Sequence, residues 1–185
     1  MAIKTFTANS VLTSADTNTY LANSGLVYIK EQVIGTAVAS VTVTNAFSST
    51  YDNYKIILSS GLGSTAQAIG FQFGPSSVSG YNTNYNYVLD IKSYTTGAAT
   101  TIYSATATRW DYVGESGTSI NEINIDILAP NLAKFSIYNG GYVGTNNSGM
   151  ASGVHKNAFS YTDFTINVSG TLTGGTIFVY GYRKA

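Results

Sequence analysis

The sequence predicts an all-β fold: a jelly-roll-like β-sandwich of about ten short antiparallel strands, preceded by an extended N-terminal arm and a short helix. Three observations carry this. From Leu26 onward, apolar residues recur with a period of two. Clusters of Gly, Asn and Ser separate those runs, and only two prolines, Pro75 and Pro130, occur in 185 residues. No strand-like run alternates with a helical one, so a sheet built from βαβ units is not expected. The chain divides into residues 1–25, an attachment arm with a short helix, and residues 26–185, the sandwich.

In the first segment, Thr13-Ser14-Ala15-Asp16 sets a hydroxyl three residues before a carboxylate, a variant of the helix capping box. A helix over residues 16–23 can follow, with Gly25 placed to end it. So short a helix is marginal alone in water and must dock on something. Residues 1–12 look extended and contain no packing partner for themselves.

The alternation is clearest at Val41 and Val43, at Ile123, Ile125 and Ile127, and at Phe164, Ile166 and Val168. Further strands are expected over Val27–Ile34, Tyr54–Ser60, Ile69–Phe73, Tyr85–Lys92, Thr108–Val113, Ala133–Tyr138 and Val154–Ala158. The last run departs from the pattern. Ile177 and Val179 face one way and Phe178, Tyr180 and Tyr182 the other, so both faces are apolar or aromatic. Such a strand is central in the fold or part of a subunit interface, and Phe178, Tyr180 and Tyr182 are the candidate interface residues.

Composition narrows the function. Charged residues make up 10% of the chain, against about 25% in ordinary soluble domains. Nine basic and nine acidic residues cancel without clustering, so the basic stripe of a nucleic-acid partner is missing. No run approaches the roughly 18 apolar residues of a membrane span, and the opening residues lack the apolar core of a secretory leader. With no cysteine and one histidine, the chain is poor in metal ligands and nucleophile–base pairs, so no cofactor, metal or catalytic residue is expected.

Individual motifs weaken further on inspection. Gly61-Leu62-Gly63-Ser64-Thr65-Ala66 has dinucleotide-loop spacing, but strand-like residues follow it where a helix is required, which makes it a hairpin loop. His155 reads as a hydrogen-bonded strand or loop histidine. Glu122, Asn124 and Asp126 share one strand face, either a hard-cation site or, more commonly, a polar contact face. Asp111 and Glu115, beside Trp110, are the only carboxylate pair near an aromatic that a glycosidase could use. The richest contact material lies in two candidate surface-contact loops. Tyr81, Asn82, Asn84, Tyr85 and Tyr87 form one, and Tyr142, Asn146 and Asn147 the other, mixing rigid aromatic area with adaptable amides.

The segment Val11-Leu12-Thr13-Ser14-Ala15-Asp16-Thr17-Asn18-Thr19-Tyr20-Leu21, with Phe6 before it, resembles the opening of many bacteriophage virion proteins described as tail-fibre or minor structural proteins. Tyr51-Asp52-Asn53-Tyr54, Tyr161–Ile166 and Gly170–Arg183 are similar to segments of small structural proteins of marine phages. The resemblance implies attachment through Phe6, Leu12, Asp16, Asn18, Tyr20 and Leu21, with the β-domain displayed. The expected place is the virion, as a tail fibre or tail appendage touching the host surface. The alternatives are a capsid decoration protein bridging capsomers and a carbohydrate-binding or depolymerase module. Expected partners are other virion proteins through the arm, further copies in a homo-oligomer such as a trimer, and a host-surface glycan.

Overall fold

The computed structural model describes residues 25–184, together with Val11, Thr13 and Ser14. Phe6, Leu12, Asp16, Asn18, Tyr20 and Leu21, and the helix expected over 16–23, lie outside the described residues.

Thirteen strands follow in order: β1 (Leu26–Val33), β2 (Val38–Val43), β3 (Asn53–Ser59), β4 (Leu62–Gly63), β5 (Gln67–Gly74), β6 (Tyr85–Ser93), β7 (Ala99–Ala107), β8 (Trp110–Ser116), β9 (Asn121–Leu128), β10 (Ser136–Val143), β11 (Asn147–His155), β12 (Asp163–Thr173) and β13 (Thr176–Tyr182). Every pairing is antiparallel. Among the described residues no helix is long and apolar enough to cross a membrane.

The pairing is nested: β1 with β13, β2 with β12, β3 with β9, β5 with β8. Folded over, that ribbon gives one sheet in the order β1-β13-β3-β9 and another in the order β2-β12-β5-β8. This is the strand arrangement of a jelly roll. Two hairpins are added to it. One is β6–β7, between β5 and β8, and the other is β10–β11, between β9 and β12. They extend the first sheet beyond β9 in the order β10-β11-β6-β7.

Strand β9 makes the extension possible by changing partners along its length. Residues 121–123 pair with β8 and residues 125–128 with β10, while β3 runs along the other edge. At the fork, a Cβ on Gly114 would run into the carbonyl of Glu122, so only glycine lets β8 leave so close to β9.

The period of two is realised as burial. Ile123, Ile125 and Ile127 are fully buried, and so are Ile177, Val179, Phe164 and Ile166. They meet Tyr54, Ile56, Leu58, Phe71 and Phe73 in one core between the sheets. Trp110 on β8 crosses that core, with its ring 4.7 Å from Tyr138 of β10 and 5.3 Å from Tyr85 of β6. Large apolar side chains of this kind each contribute about 1.5–3 kcal/mol on burial.

Candidate interaction surfaces

The two tyrosine-rich segments expected as loops are largely strand, with Tyr85 and Tyr87 on β6, Tyr142 on β10 and Asn147 on β11, and they are not one surface. The 80–84 loop precedes Tyr85, which pairs with His155 at one end of the extension, whereas Asn147 pairs with Ser93 at the other. Eight residue steps of strand, about 26 Å, separate them.

Most of their tyrosines point inward. Tyr85, Tyr87 and Tyr142 are 0%, 8% and 5% exposed, so they supply core and not contact area. The Tyr85 hydroxyl accepts the Phe73 amide at 2.8 Å and donates to the Tyr81 carbonyl at 2.6 Å. Burial, and then the neighbouring Asp111 carboxylate, push the Tyr87 phenol up to about 12. Asn82, Asn84 and Asn146 are exposed, Tyr81 and Asn147 half-buried. Asn84 sits at φ 62°, a left-handed conformation that asparagine tolerates well. Its amide donates to Asn157 Oδ1 at 2.8 Å.

Glu115 closes the second stretch. Its side chain is buried and accepts the Tyr142 hydroxyl at 2.7 Å and both the amide and hydroxyl of Thr145 at 2.8 Å. The carboxylate is a peg for the β10–β11 turn. Asp111 is held by Arg109 Nε at 2.6 Å. The rings of Tyr87, Tyr112 and Tyr142 form a row alongside, with centroids 6.2 and 6.1 Å apart. Both carboxylates are thus engaged structurally.

His155 is fully buried. Its Nε2 lies 3.1 Å from the Gly80 carbonyl and 3.0 Å from that of Thr83. Two carbonyl acceptors require that nitrogen to carry the proton. The histidine ties the 80–84 loop to the sandwich, and burial pushes its pKa down. Gly61–Ala66 leads through the two-residue β4 into β5 with no helix after it, which rules out a dinucleotide loop. It is not a hairpin loop either, because β3 pairs with β13 and β9 while β4 and β5 both pair with β12.

Strand β13 is central, flanked by β1 and β3. Phe178, Tyr180 and Tyr182 lie half-buried on the outer face of the sheet. Tyr180 meets the exposed ring of Tyr28 edge-on at 5.9 Å, and the Tyr182 hydroxyl donates to Asp126 at 2.6 Å. Lys55 pairs with the same carboxylate at 3.4 Å. Glu122 and Asn124 on that face are exposed, and no cluster of three metal-ligating acidic or histidine side chains occurs among the described residues.

One concave surface was not legible in the sequence. It is a groove of about 510 Å³ on the outer face of β10, β11, β6 and β7. Ile137, Val154, Val88 and Tyr103 line it, with Asn86 and Asn139 as polar neighbours. Tyr103 is 75% exposed, and Met150 on the same face 66%. Tyr103 lies on β7, a strand without apolar alternation, which is why sequence reasoning passed over it.

No protein-family model matches the chain, and no curated protein and no solved structure matches it.

Proposed function

We propose that the chain is a non-enzymatic bacteriophage virion structural protein, attached through residues 1–25 and presenting its jelly roll outward. Within that class we assign it to a tail fibre or tail appendage that contacts the host surface. One observation carries the reading beyond the sequence resemblance. The described chain enters the sandwich at β1, one margin of an eight-strand sheet, while the uncovered groove lies toward the opposite margin at β7. Seven strand spacings, about 33 Å, separate the two margins. A module tethered at β1 therefore holds this groove away from the tether.

The contact surface in this reading moves from the buried tyrosines to Tyr103, Val88, Ile137 and the amides beside them. The engagement of Asp111 by Arg109, and of Glu115 by Tyr142 and Thr145, supports a non-catalytic role. Many weak contacts displayed together gain affinity through effective concentration, which suits a repeated appendage.

A capsid decoration protein is the second reading, favoured by the exposed polar row of Glu122 and Asn124 on the same sheet. Gold-labelled antibody on purified virions separates the two: label on the tail is expected, and label scattered over the head overturns the fibre reading. The depolymerase alternative is tested by incubating the protein with host polysaccharide. New reducing ends that Asp111→Asn or Glu115→Gln abolishes would overturn the non-enzymatic reading. Deleting residues 1–25 should leave a folded domain that no longer joins particles, because the paired strands begin at Leu26. A truncated chain that fails to fold would refute the division at residue 25.

A further inference from the structure

We infer that β7 is a self-association edge, through which two copies of this chain pair antiparallel and join their eight-strand sheets. Among the described residues, strand β7 bonds only β6. Its other side offers a row of backbone donors and acceptors that only another strand can take up in register.

Proteins block such edges with charge, proline, bulges or a covering segment. At the margins of the described sheets those devices are unevenly placed. Strand β1 carries Lys30 and Glu31 and has a bulge between Tyr28 and Lys30. The margin at β2 is met by Lys30, whose ammonium donates to the Thr44 carbonyl at 2.5 Å. Strand β7, Ala99-Thr100-Thr101-Ile102-Tyr103-Ser104-Ala105-Thr106-Ala107, holds neither a charge nor a proline. Its one irregularity lies beyond Ser104, where β6 slips from Tyr87↔Ser104 to Tyr85↔Ala107. Residues 99–104 stay regular, six residues rich in β-formers.

The occupant follows from the symmetry and charge of that segment. An antiparallel strand paired with its own copy forms a two-fold interface in which the same patch serves both sides. Side-chain faces are kept only if paired residue numbers sum to an even value, since a one-residue slip turns every side chain over. Centring on Ile102 satisfies this and sets Thr101 opposite Tyr103 of the second copy. The two Tyr103 rings become diagonal neighbours, about 7–8 Å apart and within aromatic reach. The segment brings no like charges together, and the net charge of zero puts no long-range repulsion between copies. Asp90 lies one strand in, and its carboxylate is bonded by the Thr101 hydroxyl at 2.5 Å.

This inference concerns the purified chain and stands or falls apart from the protein's place in the virion. Analytical sedimentation of the full chain should give a dimer mass. Changing the outward-facing Thr101→Lys and Tyr103→Lys together should halve it, with the circular dichroism spectrum unchanged. Because the sequence has no cysteine, Ile102→Cys reads the register directly. Cα atoms facing across the axis lie about 4.5–5.5 Å apart, within disulfide range. Mild oxidation should give a covalent dimer from Ile102→Cys, or from Thr101→Cys if the neighbouring symmetric register is used. A wild-type monomer overturns the inference. So does an oligomer of any size that the lysine pair leaves intact, or the absence of a disulfide from both cysteine variants.

Discussion

Replacing Tyr85 by Phe removes one oxygen from the centre of the protein, and the structure says what that oxygen does. The ring is fully buried, and its hydroxyl serves the Phe73 amide and the Tyr81 carbonyl. Strand β12 lies along one edge of Phe73, but on the other edge pairing between β5 and β8 ends at Phe71↔Trp110, so no strand there can take the Phe73 N–H that the Tyr85 hydroxyl accepts. An orphaned buried donor costs about 1–3 kcal/mol, and the second lost bond about 1 kcal/mol more, because half-buried Tyr81 can turn to water. The expected loss is about 2–4 kcal/mol, a fall in Tm of roughly 5–15 °C for a domain of this size. Urea denaturation followed by fluorescence of the single tryptophan, Trp110, should show a lower midpoint at unchanged slope. Tyr138→Phe is the control: the Tyr138 hydroxyl is as deeply buried but has no protein partner. That variant should stay within about 0.5 kcal/mol of wild type or gain stability. Equal losses in the two variants would refute the reasoning, since removal of a buried oxygen would then cost the same with or without partners.

Three further outcomes follow from the same structure. Burial lowers the pKa of His155, so below about pH 6.5 the unfolded chain binds a proton that the folded one refuses. Stability should be full above that pH and fall as pH drops through it, by up to about 1.4 kcal/mol per unit, while His155→Phe removes the slope; a flat wild-type curve would contradict this. Glu115→Ala strips acceptors from Tyr142 and Thr145 and should cost about 2–4 kcal/mol, with faster amide exchange at Thr145. Unchanged exchange there would show that the carboxylate is not the peg. Gly153→Ala would drive a methyl into the Tyr138 ring and the Trp110 indole nitrogen, costing about 1–3 kcal/mol in denaturation experiments; full tolerance would refute the packing between β11 and β8.

Fold class and most of the strands could be read from the chain alone, because alternation is a local property. Ile123, Ile125 and Ile127 needed no partner to declare a half-buried strand, and burial followed the pattern residue by residue. Strand β7 escaped because its Ala and Thr residues show no contrast between faces; what makes it a strand is β6 beside it. Which tyrosines face water was likewise a tertiary decision. A phenol suits either side, and Tyr85, Tyr87 and Tyr142 went inward because partners for their hydroxyls arrive from Phe73, Asp111 and Glu115, 12 to 27 residues away. The nested jelly-roll pairing and the fork at β9 were also settled only in three dimensions. Strand pairing joins segments as distant as β1 and β13, and no short window of sequence records which edge meets which.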